Sequence, residues 1–237
     1  MRSIAKGVEP HQLRRWKSAN RHFPQNLVYM GGGFPSEKVR RALLAEQFHL
    51  CAYTMKSLKT ANECEDTGGD TTLSCHIEHV LPQATHPASA IDYKNMVACF
   101  PPSRSTTACE FGAIAKKNYD PAVKPFVSPL QVHAERHFKF HDDGMVDGLT
   151  PEGEATVKVL NLNHAILKNE RAAVIKGRLE PKRGKTLSAA EARRLAADIN
   201  QPDADAKLAA YCVAIAQVAL RHADKEERRA ARLRKKA

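Results

Sequence analysis

Positions 74–83 read SCHIEHVLPQ, and this run constrains the fold more than any other part of the chain. β-favouring Ile77, Val80 and Leu81 interleave with His76, Glu78 and His79, and Pro82 stops further pairing, so the run predicts the end of a strand. The helical zinc-protease pattern is excluded. It needs histidines four apart with a glutamate directly after the first, whereas His76 and His79 are three apart and Glu78 comes two after the first. A carboxylate followed at once by an imidazole suits phosphodiester hydrolysis, in which the carboxylate holds a divalent cation and the imidazole deprotonates a water. Strict alternation puts Glu78 and His79 on opposite faces, so this chemistry requires a bend between them. A hydrogen-bonded strand end is the competing reading.

Five of the six cysteines (Cys51, Cys64, Cys75, Cys99 and Cys109) fall in the same region as that run, and Cys212 stands apart. The opening segment MRSIAKGVEPHQLRRWK has no apolar core of the signal-peptide kind, and no apolar run reaches membrane-span length. A cytoplasmic chain without membrane contact is expected, with its cysteines as thiols or metal ligands rather than disulfides. The net charge is +11, of which 225-KEERRAARLRKKA-237 supplies +5 from seven basic and two acidic residues. An anionic partner follows, although a basic tail is also compatible with a solvated helix end. With aromatic residues at only 6%, a base-stacking platform for single strands is disfavoured.

Apolar periodicity predicts a helix from Ser36 to Gln47. A polar surface loop is expected from Thr60 to Thr72, a strand at 96-MVACF-100 and a short helix over 109-CEFGAIAKKN-118. The alternating segments 126-FVSPL-130 and 137-HFKFHDDGMVDG-148 predict a small hairpin with a DDG turn. Val157, Leu160, Ile166, Leu167 and Val174 approximate one helix from Glu154 to about Lys176, with NLNH in its middle. Ser188 and Glu191 have capping-box spacing for a helix to about Ile199, and a last helix packs Leu208, Tyr211, Cys212, Ile215, Val218 and Ala219 on one face. Residues 180-EPKRGKT-186 read as a linker.

The order Glu78-His79, then Asn95 in 93-YKNMVAC-99, then a cysteine-led helix ending in basic residues and Asn118, resembles the HNH nuclease motif. The segments 1-MRSIAKGVEP-10, 46-EQFHLCAYTM-55, CHIEHVLPQ, DYKNMVACF and 160-LNLNHAILKNER-171 together resemble the HNH nuclease subunit of Septu-type antiphage systems, which is also found beside some retrons. The likeness runs from residue 1 to about 175. It implies an α+β fold, a ββα-metal core at about 48–120 inside a mainly helical shell, with a hairpin and helix at 126–176. The nuclease domain would span 1–180, followed by a C-terminal helical region with a basic tail at 181–237.

The same resemblance implies that His79 is the general base, that Glu78 takes the position of a ligand to Mg²⁺ or a similar divalent cation, and that Asn95 holds the loop orienting the histidine. Asn118 is the expected third position, with Glu110 as the alternative. Relatives often carry C-x-x-C where this chain has 51-CAYT-54. Cys51, Cys99 and Cys109 therefore remain for a structural Zn²⁺, with Cys64, Cys75 or His76 as a fourth ligand, unless they are now ordinary core residues. Lys116 and Lys117 are candidate phosphate contacts, a role they share with simple stabilisation of a helix end. The implied partners are nucleic acid, an ABC- or SMC-type ATPase and, beside retrons, a reverse transcriptase with its non-coding RNA and DNA. The chain has no glycine-rich phosphate loop of its own. Two rival readings are a decayed HNH scaffold that binds nucleic acid without turnover, and a zinc-stabilised interaction module.

Overall fold

The computed structural model describes residues 1–59, 74–102, 109–182 and 184–235. Cys64 and the expected loop at 60–72 lie outside them. The described residues form a mixed α+β structure of seven helices and two two-stranded antiparallel sheets. In chain order these are α1 (His11–Ala19), α2 (Ser36–Glu46), β1 (His76–His79), β2 (Met96–Cys99), α3 (Ala113–Lys116), β3 (Phe138–Phe140), β4 (Val146–Gly148), α4 (Pro151–Val159), α5 (Ala165–Leu179), α6 (Ala189–Asp198) and α7 (Cys212–Arg234). None of these helices is long and apolar enough to cross a membrane.

The first sheet pairs β1 with β2 in the register His76↔Cys99 to His79↔Met96. Every residue of β2 is buried. Its outer edge is closed by Gln47, whose amide accepts from Ala98 N–H at 2.7 Å and donates to the Ala98 carbonyl at 2.9 Å. A buried side-chain amide thus replaces the missing third strand and leaves the edge no unpaired backbone groups at Ala98. Glu46 ties the N-terminal segment to this sheet. It pairs with Lys6, accepts from Tyr93 Oη at 2.9 Å and from Gly7 N–H at 2.9 Å, while Lys6 also donates to the Met96 carbonyl.

The second sheet is the expected DDG hairpin, β3 against β4. Gly144 has φ +83° in its turn, and a Cβ there would lie 2.1 Å from the Lys168 carbonyl, so only glycine fits. Segment 126–130 is not part of that hairpin. Its Val127 N–H is taken by the buried Thr156 hydroxyl on α4, and the Pro129 carbonyl accepts from Ile4 N–H.

The single helix expected over 154–176 is two helices, α4 and α5, broken at 160–164. Asn161 sits at φ +49° and donates to the Glu110 carbonyl, while Asn163 exchanges two 2.9 Å hydrogen bonds with the backbone of Val146. Both asparagines satisfy distant backbone in place of the helix's own, which is why the periodicity does not continue through them. The helix expected over 109–118 shrinks to the four residues of α3, bracketed by Gly112 at φ +66° and Lys117 at φ +49°.

Toward the C-terminus, α6 starts with the capping box that Ser188 and Glu191 predict. Helix α7 begins only at Cys212, because Leu208 N–H and Tyr211 N–H donate to the carbonyls of Phe48 and Met55. It then continues through most of the basic tail. Its buried face, Cys212 to Ala223, lies against α6, α5 and β3, and Gln217 bonds both Phe138 and Phe140 backbones.

Arg171 on α5 is 1% exposed and has no carboxylate partner among its hydrogen bonds. Its guanidinium donates to the Gly144 carbonyl at 2.6 Å and the Leu162 carbonyl at 3.0 Å, and lies over the Phe140 ring. Burial lowers its pKa to about 10, still far above neutrality, so the charge persists and those carbonyls satisfy it. Arg171→Met keeps most of the volume but leaves both carbonyls without donors. It is expected to lower the unfolding free energy by about 3 kcal/mol in a urea titration, and a loss under about 1 kcal/mol would mean that the clamp is unimportant.

Candidate functional site

The end of β1, the loop leading to β2 and helix α3 converge on Glu78 and His79. Pairing continues in register through His79↔Met96, so the bend expected between the two residues is absent and their side chains leave on opposite faces. His79 is 5% exposed. Its Nε2 lies 2.9 Å from the Ala90 carbonyl and its Nδ1 3.1 Å from the Gln83 amide nitrogen. A carbonyl can only accept, so Nε2 carries the ring proton and Nδ1 is left as the basic lone pair, which the Gln83 amide N–H caps. Tyr29 packs edge-on against the ring at 4.5 Å.

Asn95 sets this geometry from the far end of the loop. Its Oδ1 accepts from Leu81 N–H at 2.7 Å, and its Nδ2 donates to the carbonyls of Leu81 and Ser89 at 3.0 and 3.2 Å. One side chain therefore closes residues 81–89 into a fixed arc and delivers the Ala90 carbonyl to the imidazole. The arc is also stitched to the exit of α3, where Asp120 receives Thr85 Oγ1 at 3.0 Å and His86 Nε2 at 2.9 Å.

On the other face, Glu78 Oε1 accepts from Lys116 Nζ at 3.0 Å and faces Tyr53 Oη at 3.4 Å. Lys116 also donates to the His79 carbonyl at 3.0 Å, and its side chain is 1% exposed. This lysine is therefore an internal cation and not a surface phosphate contact, the role in which it was a candidate. Lys117 and Asn118 lie in the exposed turn that follows. The α3 helix ends before Asn118, so Lys116 is the residue that reaches Glu78. Glu110 points elsewhere, with its carboxylate 3.6 Å from His164.

Burial dominates the electrostatics on both faces. It raises the Glu78 carboxyl above its ordinary range, opposed by the Lys116 charge. It lowers the His79 imidazole, with the hydrogen bond to Ala90 opposing and the nearby Lys116 charge adding to the shift. His79 is thereby held neutral and available as a base over a wider pH range.

The fit of a divalent cation can be judged from the donors. Among the described residues no group of three or more His, Cys, Asp or Glu side chains is placed to hold a metal. Glu78 already faces an ammonium, and His76, on the same face two residues earlier, has its Nδ1 on the Pro101 carbonyl at 2.5 Å. The donor set here does not fit Mg²⁺. The zinc expectation meets a similar arrangement. Cys51 and Cys99 are fully buried and hydrogen-bonded to each other, and Cys51 Sγ accepts from Phe100 N–H. Cys109 instead donates to the Phe111 carbonyl at 3.4 Å. Burial pushes the Cys75 thiol up to about 12 and raises the Cys99 thiol well above its ordinary value, which keeps both as neutral thiols. At Cys51 the hydrogen bonds from Cys99, Thr54 and Phe100 outweigh burial, so Cys51 is the acceptor of the pair.

Sequence reasoning placed Glu78, His79 and Asn95 at one site but missed Tyr29, Tyr53, Gln83 and the pairing role of Lys116. One signal for the last was available: Lys116 falls three residues after Ala113, on the buried side of the short helix. No protein-family model matches the chain, and no curated protein matches it.

The unfolded chain binds a proton at His79 near pH 6.5 and the folded chain only at lower pH, so this residue's contribution is complete above pH about 6.5 and is lost as pH falls. Stability of the wild type should drop between pH 7.5 and 5.5 by more than that of His79→Gln, read from urea midpoints. Parallel curves would show that His79 is not the titrating group.

Proposed function

We propose that this chain is an HNH-type endonuclease that hydrolyses phosphodiester bonds of nucleic acid, working as the effector of a bacterial antiphage defence complex with an ABC- or SMC-type ATPase. The observation that carries this reading is the His79 imidazole, fixed by a backbone carbonyl on one nitrogen and presenting its basic nitrogen toward a surface amide. His79 ends the first of two antiparallel strands that a short helix follows in the chain, the strand, strand, helix order that the resemblance implies. Gln83 is exposed, so its amide can swing away and a water can take its place on Nδ1. In the reaction the water oxygen bonds to phosphorus as its proton passes to His79 Nδ1. The bond from phosphorus to the leaving oxygen breaks, and that oxygen is protonated from solvent.

The charge distribution on α7 supports a polyanionic substrate. Arg193 of α6 forms a two-pronged pair with Glu227 and also bonds Asp224 at 2.8 Å, which turns these two carboxylates toward α6, while Glu226 faces Arg229 at 4.0 Å. Arg228, Arg229, Arg232, Arg234 and Lys235 are exposed. With two of its three carboxylates held by Arg193, the stretch presents a predominantly cationic outer surface, suited to a phosphate backbone.

A second reading, a decayed scaffold that binds nucleic acid without turnover, is favoured by one observation: Glu78 serves a lysine. The two are separated by incubating plasmid DNA and total RNA with the wild type and with His79→Ala, each alone and with the ATPase encoded beside it. The nuclease reading expects cleavage that His79→Ala reduces about 10²- to 10⁴-fold while binding is retained. Equal behaviour of both proteins in every condition would leave the scaffold. Reversing Arg228, Arg229 and Arg232 to glutamate should weaken binding to the same nucleic acid and make its log–log salt dependence shallower by about 2–3. An unchanged salt slope would remove α7 from the interface.

A further inference from the structure

We propose that Lys116 is the resident cation of this site: its ammonium takes the place on Glu78 that a divalent ion requires, and the carboxylate is built to serve that lysine. The inference concerns the same site as the nuclease reading and rests on that reading only for the site's purpose.

Three observations converge on it. First, the ammonium makes two charge-assisted contacts at 3.0 Å, to Glu78 Oε1 and to the His79 carbonyl, using two of its three donors. Its side chain is 1% exposed while that of Glu78 is 16% exposed, so the lysine approaches the carboxylate from inside the protein. Second, the position of Lys116 is imposed by the fold. Gly112 N–H donates to the Leu160 carbonyl at 2.8 Å and Asn161 to the Glu110 carbonyl at 2.9 Å, which pins the approach to α3. Gly112 and Lys117 then hold the helix to four residues, so its last side chain points under β1. Third, the other donors near Glu78 are engaged: His76 Nδ1 on the Pro101 carbonyl, and Tyr53 Oη beside Glu78 itself. A divalent ion prefers six or more oxygen ligands, and within the described residues Glu78 has no second carboxylate, imidazole or thiol in a set of three.

Because Lys116 bonds the backbone carbonyl of His79 and the side chain of Glu78, it couples the two faces of β1. It is a positioning residue for the imidazole, and hydrolysis at His79 is expected to proceed without a divalent ion on Glu78.

The test uses the full chain and needs no turnover. Thermal unfolding is measured in Mn²⁺ and in EDTA for the wild type and Glu78→Gln, alongside a double-mutant cycle of Glu78→Gln and Lys116→Met. The expected result is no Mn²⁺-dependent shift in the wild type, against the several degrees that an ion at a hundred times its Kd gives. Each single substitution should lower the midpoint, and the double variant should recover most of the loss, since it removes both members of a buried pair. A Mn²⁺ shift that Glu78→Gln abolishes would overturn the proposal, as would additive losses in the cycle. If a single variant fails to fold, the wild-type comparison still decides. A chain that cuts only with Mn²⁺ bound through Glu78 would refute this inference and keep the nuclease reading. A chain that cuts nothing yet shows the recovery would do the reverse.

Discussion

An ammonium group with a 1% exposed side chain constrains everything around it, because its desolvation is offset only if partners meet it at hydrogen-bond distance. Glu78 and the His79 carbonyl do so, and their geometry depends on elements far away in sequence. Helix α3 is anchored by the 160–163 turn, and that turn is joined to the β3–β4 hairpin through Asn163 and Arg171. The hairpin in turn is held by Gln217 and Arg221 of α7. A continuous set of backbone-directed hydrogen bonds therefore runs from the C-terminal helix to the end of β1. Residues after 180 are part of what keeps the site in shape, since α7 fills the same core as the strands.

Polar side chains bonded to backbone recur through this framework: Gln47 on Ala98, Asn95 on Leu81, Asn163 on Val146 and Arg171 on Gly144. Two-stranded sheets are marginal alone; Gln47 and Asn163 supply pairing that another strand would provide, while Asn95 and Arg171 satisfy the loop and turn backbone beside the sheets. The small sheets persist because amides and a guanidinium complete them, with the helices covering what remains.

That device also explains what was legible in the sequence. Elements governed by local rules were readable: the Ser188–Glu191 capping box, the DDG turn, and a strand that ends, at His79, ahead of Pro82. Asn161 and Asn163 were visible as a disturbance in a helical period, but their partners, Glu110 and Val146, lie 51 and 17 residues away, and no local pattern names them. Lys116 shows the same limit at the site. Read locally, two lysines at a helix end suggest solvent and phosphate. Burial of the first depends on α3 stopping after four residues, which the left-handed backbone at Lys117 enforces. The alternation of β1 was legible, and it holds through His79, so the requirement for a bend was the part of the chemical reading that the backbone does not meet.

Keeping Glu78 and His79 on opposite faces changes what the pair can do. A metal ligand and a base that share one face act on one bound phosphate. Here the carboxylate fixes a cation beneath the strand, and the imidazole alone looks toward the loop. Its basic nitrogen is capped by the Gln83 amide, which belongs to the exposed part of the arc that Asn95 closes. Rotating one surface side chain costs little compared with opening the core, so His79 can stay desolvated and neutral at rest and still meet a water when the arc is engaged. Lys116 completes this division of labour. By holding the His79 carbonyl it lets the imidazole's orientation survive movement of Gln83, because the residue is fixed by its backbone below and by Ala90 beside it.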